Sequence, residues 1–199
     1  QGKNSFYSEG MRMYVQDFDG NGSTEQILCY EIGNKIFPFH DPDEMYSQMP
    51  SIKKKFSRYS DFAKATMKDL FSDQKLNSAL QLKIEMLQSV VFLNESGQFR
   101  IVDLPDEIQY STVHSIFGQR EKDRNRVFFG GNFYKVKPQF GRQDASPVWE
   151  LEMKESLNLF EFSKPRPLFI KGQVRYIGVL NKDLVFGMNN ANLVICKAN

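Results

Sequence analysis

The chain has 199 residues, 41% of them hydrophobic and 14% aromatic, which is enough apolar side chain for the packed core of one domain or a compact pair. Its 26 basic and 24 acidic residues leave a formal charge of +2, a balance that sets up no net field to recruit nucleic acid or an anionic membrane. No run of about 18 apolar residues is present to cross a bilayer as a helix. Residues 1 to 5 lack the charged and apolar regions of a signal peptide, and a start at Gln1 without Met reads as a processed or excised piece. Cys29 and Cys196 stand near opposite ends of the chain, each in an apolar run, and read as two buried free thiols rather than a disulfide framework.

In chain order, residues 11 to 15 alternate apolar and polar as a half-buried strand does, and they run directly into Asp17-Phe18-Asp19-Gly20-Asn21-Gly22-Ser23-Thr24-Glu25. Oxygen side chains stand at loop positions one, three, five and nine, and a glycine at position six permits the turn that lets them converge on a hard cation. Asp17 and Glu25 would clamp from the two ends, Asp19 and Asn21 would fill the middle, and Ser23 would offer its backbone carbonyl. Ligation by oxygen alone selects calcium or magnesium, and calcium tolerates the less regular geometry of a flexible loop. Asp, Asn and Gly are also ordinary turn residues. Carboxylates at alternate positions, however, repel one another unless a cation lies between them. Strands at residues 26 to 31 and 35 to 39, separated by the turn signal Gly33-Asn34, complete a meander.

A helical stretch follows. Asp41-Pro42-Asp43-Glu44 combines a cap, a proline at the first helical position and a Glu at the third. Met49-Pro50 ends that helix, and a second carries Ile52 and Phe56 with Lys53, Lys54, Lys55 and Arg58 on its other faces, a solvated basic face or a phosphate patch. Ser60 caps a third expected helix, from Asp61 through Phe62, Ala65, Thr66, Asp69 and Leu70, and Ser72 or Asp73 caps a short fourth.

From Leu80 the period becomes two, which predicts a strand at residues 82 to 93, turned by Asn94-Glu95-Ser96-Gly97 into another at 98 to 104. Residues 113 to 117 and 126 to 129 read as the next pair, across a charged loop at 119 to 124. Residues 147 to 154 and 157 to 162 read as another, with Trp149, Leu151 and Met153 on one face and Glu150, Glu152 and Lys154 on the other. Strands at 173 to 180, 184 to 188 and 193 to 197 close the chain, with the turns Asn181-Lys182-Asp183 and Asn189-Asn190-Ala191-Asn192 between them.

Three segments, beginning near Met11, Val113 and Val174, share the order strand, polar loop, strand, hairpin strand. Aligning Val127-Phe128 with Ile27-Leu28 puts Phe117, Gln119, Glu121 and Asn125 where Asp17, Asp19, Asn21 and Glu25 stand, and Lys122 where Gly22 stands, so the second segment lacks the ligands. The third has only a tight turn there.

The Asp-Phe-Asp-Gly-Asn-Gly run at 17 to 22, followed by an apolar strand, resembles the integrin-type calcium-binding blade, the FG-GAP or VCBS repeat of β-propellers. Phe37-Pro38-Phe39, the helical stretch through Phe56 and residues 62 to 66, and above all Gly-Asn-Phe-Tyr-Lys-Val-Lys-Pro at 131 to 138 with Gly-Arg-Gln-Asp-Ala-Ser at 141 to 146, resemble the last blades of bacterial cartilage-acidic-protein-like propellers. Many of those carry a neighbouring ASPIC/UnbV module. The resemblance covers most of residues 11 to 197; Asn21 and Glu25, where the family has Asp, and the altered second loop depart from it. It implies a C-terminal piece of a longer, exported protein, secreted or held on the outer surface of a Gram-negative envelope. The last segment stops after three strands where a blade needs four, which leaves an exposed edge open to dimerisation.

Other candidates carry less. His40 beside Asp41, and His114 near Ser111, Thr112 and Ser115, lack an orienting acid and a nucleophile elbow. Arg142 and Asp144, in a loop bounded by Gly141 and Pro147, would anchor a crossover or, with Tyr134, touch a ligand. Phe128, Phe129, Phe133, Tyr134 and Phe140 read as core between sheets before they read as a stacking platform for sugars or bases. The expectation is a mainly β chain of about three antiparallel propeller blades spanning residues 1 to 199, with a helical insertion at 41 to 79. It would hold one structural calcium and serve as a non-catalytic surface scaffold for a protein or glycan. The alternatives are a nucleic-acid-binding module, against which the charge balance argues, and a propeller hydrolase, for which no acid, base and nucleophile set is present.

Overall fold

The computed structural model describes residues 10–121, 124–137, 141–156 and 159–197. Expectations that fall on Lys122, Phe140 and Leu157 lie outside the described residues. The chain is mainly β, with several antiparallel sheets, none of them closed among the described residues. It divides into two compact units, Gln1–Leu87 and Gln88–Asn199.

In the first unit β1 (Arg12–Gln16), β2 (Glu25–Ile32), β3 (Lys35–Pro38) and β4 (Leu80–Lys83) form a sheet in the order β3-β2-β1-β4. Five short helices lie between β3 and β4: α1 (Pro42–Gln48), α2 (Pro50–Lys55), α3 (Tyr59–Phe62), α4 (Met67–Leu70) and α5 (Asp73–Ser78). α1 begins as the sequence dictates, since Asp41 accepts the Glu44 N–H at 2.9 Å while Glu44 accepts the Asp41 N–H at 3.3 Å. The third expected helix is two. α3 ends at Phe62, and α4 starts afresh from a capping box in which Thr66 Oγ1 accepts the Asp69 N–H and Asp69 accepts the Thr66 N–H at 2.8 Å. Ser72 caps α5 by accepting the Lys75 N–H. Breaking the helix between residues 62 and 67 lets Phe62, Ala65, Met67 and Leu70 all reach the core that Tyr14, Ile27 and Cys29 offer from one face of the sheet.

The strand expected at residues 82 to 93 is two strands in two sheets. β4 pairs with β1, whereas β5 (Val90–Glu95) pairs, among the described residues, only with β6 (Gln98–Asp103). Alternation of apolar residues runs through both but cannot show where the chain leaves one sheet for another. After α6 (Asp106–Gln109) the second unit continues with β7 (Val113–Arg120), β8 (Asn125–Gly131), β9 (Trp149–Ser156) and β10 (Leu159–Phe162), a meander to which β11 (Arg166–Pro167) adds on β9. β12 (Val174–Leu180), β13 (Asp183–Met188) and β14 (Val194–Cys196) form a second meander, joined at its first turn by Asn181 and Lys182, both at positive φ as a two-residue hairpin turn demands.

β8 is buried on both faces. Phe128 packs with Val174, Ile177 and Phe186 of β12 and β13, while Val127 and Phe129 pack with Leu151, Leu104 and Ile108. The hairpin β5–β6, through Val91, and the β12–β14 sheet therefore cover opposite faces of the β7–β10 sheet. Sheets approach closely at Gly130, where an added Cβ would lie 2.7 Å from Val174 Cγ1.

The proposed loop equivalence of the second segment fails. Phe117 and Gln119 lie inside β7 and Asn125 opens β8, with Arg120 paired to Asn125, so the strands meet in a short hairpin. Arg126 donates to Gln119 and Glu121 across the ladder, and those polar residues extend the pairing instead of forming a loop. Both cysteines are free. Cys29 is buried as expected, and burial pushes its thiol up to about 12, but Cys196 is half-exposed because it lies on the edge strand β14.

Two outcomes test this packing. Ellman's reagent at pH 8 is expected to titrate the Cys196 thiol in the native chain and the Cys29 thiol only after denaturation. Phe128→Ala, at a fully buried position, is expected to lower the unfolding free energy of the second unit by about 3–5 kcal/mol, measured by urea titration followed through Trp149 emission.

Candidate metal centre

The loop between β1 and β2 is built by its own acids. Gln16 and Glu25 are paired across the ladder, so residues 17 to 24 must turn back within a closed end. Asp17 Oδ1 accepts the N–H groups of Gly20 at 2.7 Å and Asn21 at 3.1 Å, and Oδ2 accepts that of Gly22 at 2.9 Å. Asp19 Oδ1 accepts the Asn21 N–H, and Asn21 Oδ1 accepts the Ser23 N–H at 2.7 Å. Gly20 and Gly22 take φ values of 77° and 87°, which residues with a Cβ rarely adopt.

Two anchors fix the loop to the core of its unit. Phe18 points inward against Phe71, ring centroids 4.2 Å apart, and its carbonyl accepts a hydrogen bond from the Lys75 ammonium at the start of α5. Glu25 is only 6% exposed and accepts the Phe18 N–H at 2.7 Å. A carboxylate this buried has to be satisfied by fixed partners, and the Phe18 amide is one.

The result is a convergence. Asp17, Asp19 and Glu25 each present an oxygen, and the three oxygens lie within 4.8 Å of one another. The N–H group of Gly22 first, with those of Gly20 and Asn21 and the charge of Lys75, holds the Asp17 carboxyl below its ordinary value, so it stays ionised. Among the described residues two N–H groups go to Asp17 Oδ1, while Asp17 Oδ2, Asp19 Oδ1 and Glu25 Oε2 accept one each, which leaves these carboxylates further lone pairs with which to face a cation. An all-oxygen anionic set of this kind suits a hard divalent ion. Asn21 and Ser23 stand on the exposed rim of the loop, beside an open polar depression shared with Thr24 and Gln48.

The remaining candidates lie elsewhere. Arg142 places its guanidinium over the Tyr134 ring, 3.9 Å from the centroid, and Tyr134 N–H donates to Gln173 Oε1; Asp144 is exposed. What pins this loop was not found from the sequence. Asn132, 1% exposed at φ 76°, donates to the carbonyls of Ser146 and Gly172 and accepts the Ser146 N–H, and Arg175 donates to the Asn132 carbonyl. An Asn directly after Gly130-Gly131 was the available signal, because Asn tolerates the left-handed region better than other residues with a Cβ. Glu150, expected on a polar face, is 5% exposed and paired with Arg126 and Arg166, since the sheet face it shares with Phe128 is covered. His40 Nε2 accepts the Leu28 N–H at 3.4 Å and Nδ1 lies 3.5 Å from Glu44, whereas His114 rests against Phe133, its imidazole pushed down by burial and then by Arg175. No family model, curated protein or solved structure matches the chain.

The loop geometry makes Asp17 the residue whose loss opens the turn. Asp17→Ala is expected to speed hydrogen exchange of the Gly20 and Gly22 amides by about tenfold or more in metal-free buffer, measured by NMR, without changing exchange in β8.

Proposed function

We propose that the chain is a non-catalytic, calcium-binding interaction scaffold of β-propeller type, in which one ion fixes the β1–β2 loop and exposed loops contact a protein or glycan. The observation that carries this reading is the convergence of Asp17, Asp19 and Glu25 within 4.8 Å on a loop already closed by its own backbone. Asn21 and the Ser23 carbonyl complete the proposed ligand set from the loop rim. Calcium is favoured over magnesium because an irregular loop with one buried and two more exposed carboxylates does not enforce octahedral geometry. The ion's role is structural: it removes the mutual repulsion of three carboxylates and locks the first two strands of the sheet.

The blade interpretation is supported by antiparallel meanders that cover one another face to face in the second unit, and by the Asp-Phe-Asp-Gly-Asn-Gly resemblance. The same resemblance supports an extracytoplasmic setting, secreted or on the cell envelope, where calcium is abundant enough to fill a modest site. A scaffold role fits His40 as well, since its imidazole is engaged by Leu28 and Glu44. The open edges of the sheets offer pairing positions for the remainder of a longer propeller chain or for a second copy.

The test is thermal unfolding in EDTA against millimolar calcium, with magnesium as control. Calcium at roughly 100 times its dissociation constant is expected to stabilise by about 2.7 kcal/mol, a rise of several degrees, and Asp19→Ala is expected to abolish the rise. An unchanged midpoint on adding calcium would overturn the metal reading and leave residues 17 to 25 as a self-closed turn.

A further inference from the structure

The β1–β2 loop contains two dipeptides that are chemically unstable in a free chain. Of the 13 glycines, only Gly20 follows an aspartate and only Gly22 follows an asparagine. A glycine has no Cβ to hinder its backbone nitrogen or restrict its dihedral angles, so that nitrogen can attack the side-chain carbonyl carbon of the residue before it. At Asn21 the Gly22 nitrogen bonds to Cγ, the Cγ–Nδ2 bond breaks, and Nδ2 leaves as ammonia with the proton given up by the Gly22 N–H. Water then opens the cyclic imide at either carbonyl, giving aspartate or isoaspartate. At Asp19 the same closure by the Gly20 nitrogen expels a carboxyl oxygen as water, and reopening by water gives isoaspartate with no net change in composition.

Both attacking nitrogens are held by one carboxylate. The Gly20 N–H donates to Asp17 Oδ1 at 2.7 Å and the Gly22 N–H to Asp17 Oδ2 at 2.9 Å. Attack requires each nitrogen to give up its proton. Donation to a carboxylate favours the protonated amide, and the adjacent negative charge disfavours the amide anion, so both effects act against the reaction. The side chains under attack are tied as well, since Asp19 Oδ1 accepts the Asn21 N–H at 3.2 Å and Asn21 Oδ1 accepts the Ser23 N–H at 2.7 Å. Exclusion of solvent gives no protection here: Asn21 and Gly22 are exposed, and nothing lies within 4 Å of where a Cβ on Gly22 would be.

We propose that Asn21 and Asp19 are sites of spontaneous covalent modification, and that Asp17 holds both in check by keeping the Gly22 and Gly20 N–H groups in hydrogen bonds. The inference does not rest on the metal reading, because these bonds are made within the loop itself, and it is tested in EDTA.

The experiment incubates the full chain at constant pH and temperature, native and in urea, and reads deamidation at residue 21 and isoaspartate at residues 19 and 21 by mass spectrometry of the loop peptide. The native chain is expected to react at both sites about tenfold or more slowly than the unfolded chain. Asp17→Asn keeps one oxygen, enough for the two N–H groups on Oδ1, and sets an NH2 group against the Gly22 N–H. It is expected to speed deamidation of Asn21 by about tenfold while Asp19 stays near its native rate and the Cys29 thiol stays closed to Ellman's reagent, whereas general unfolding speeds both sites. In the unsubstituted chain, at urea concentrations below the unfolding transition, Asn21 deamidation is expected to follow hydrogen exchange of the Gly22 amide and not exposure of Cys29, a readout that holds even where the variant does not fold. Equal rates in the native and unfolded chains, an unchanged Asn21 rate in a folded Asp17→Asn variant, or deamidation that follows Cys29 exposure would each overturn the inference.

Discussion

Asp17 sets the conformation on which the candidate site rests. By accepting three backbone N–H groups from the residues that follow, it converts a flexible glycine-containing stretch into a fixed turn and brings Asp19 and Glu25 alongside itself. Those bonds favour the ionised carboxylate, so the interaction that shapes the loop also maintains its negative charge. The turn alone would be solvent-exposed and mobile. Its rigidity comes from Phe18, which crosses from the loop into the core against Phe71, and from Glu25, which is buried as the first residue of β2. The loop is thus tied to the sheet at one end and to the helices through Phe71 and Lys75 at the other.

A different constraint organises the second unit. β8 lies under cover on both faces, so every side chain that its neighbours direct at it must fit a closed space. Glu150 illustrates the consequence. A lone carboxylate beside Phe128 would be costly, and it is tolerated because Arg126 and Arg166 both reach it. Arg126 also lies over the Phe128 ring, its guanidinium carbon 5.6 Å from the centroid, which gives the cation a second favourable contact. Gly130 and Gly131 complete the arrangement by removing side chains where Val174, Ile177 and the Thr112 carbonyl come close.

How much of this was legible follows from how local each signal is. The acid loop could be read because its spacing and its glycines lie within nine consecutive residues, and the Asp41 capping box because it needs only four. The closing hairpins were equally readable from Asn181-Lys182 and the apolar runs on either side. Glu150 could not be read, because alternation tells which residues share a face but not whether that face is covered. The break between β4 and β5 was hidden for the same reason, since both halves alternate while pairing with different strands. Thr66 and Asp69 had a cap spacing that was available, but the surrounding residues also fitted an uninterrupted amphipathic helix. Asn132 needed tertiary knowledge, because its partners at Ser146, Gly172 and Arg175 are distant in sequence.

The two units meet one requirement by two routes. An antiparallel sheet has two faces, and at least the one that carries the core must find cover. In the second unit the β12–β14 sheet supplies it on one side of the β7–β10 meander, and the β5–β6 hairpin with Leu104 and, from α6, Ile108 supplies it on the other. In the first unit, helices α1 to α5 do so on the face that carries Tyr14, Ile27 and Cys29, replacing a neighbouring sheet with a shell of short helices. This explains why a helical stretch lies between two strands of a single sheet: β4 can return to pair with β1 only after the chain has crossed and sealed that face. The opposite face, which the register assigns to Met13, Val15, Leu28, Leu80 and Leu82, retains a sheet's apolar pattern, with Leu80 58% and Leu82 49% exposed. Short helices also give the β1–β2 loop its anchors in Phe71 and Lys75, so the element that seals the sheet is the one that holds the candidate metal site in shape.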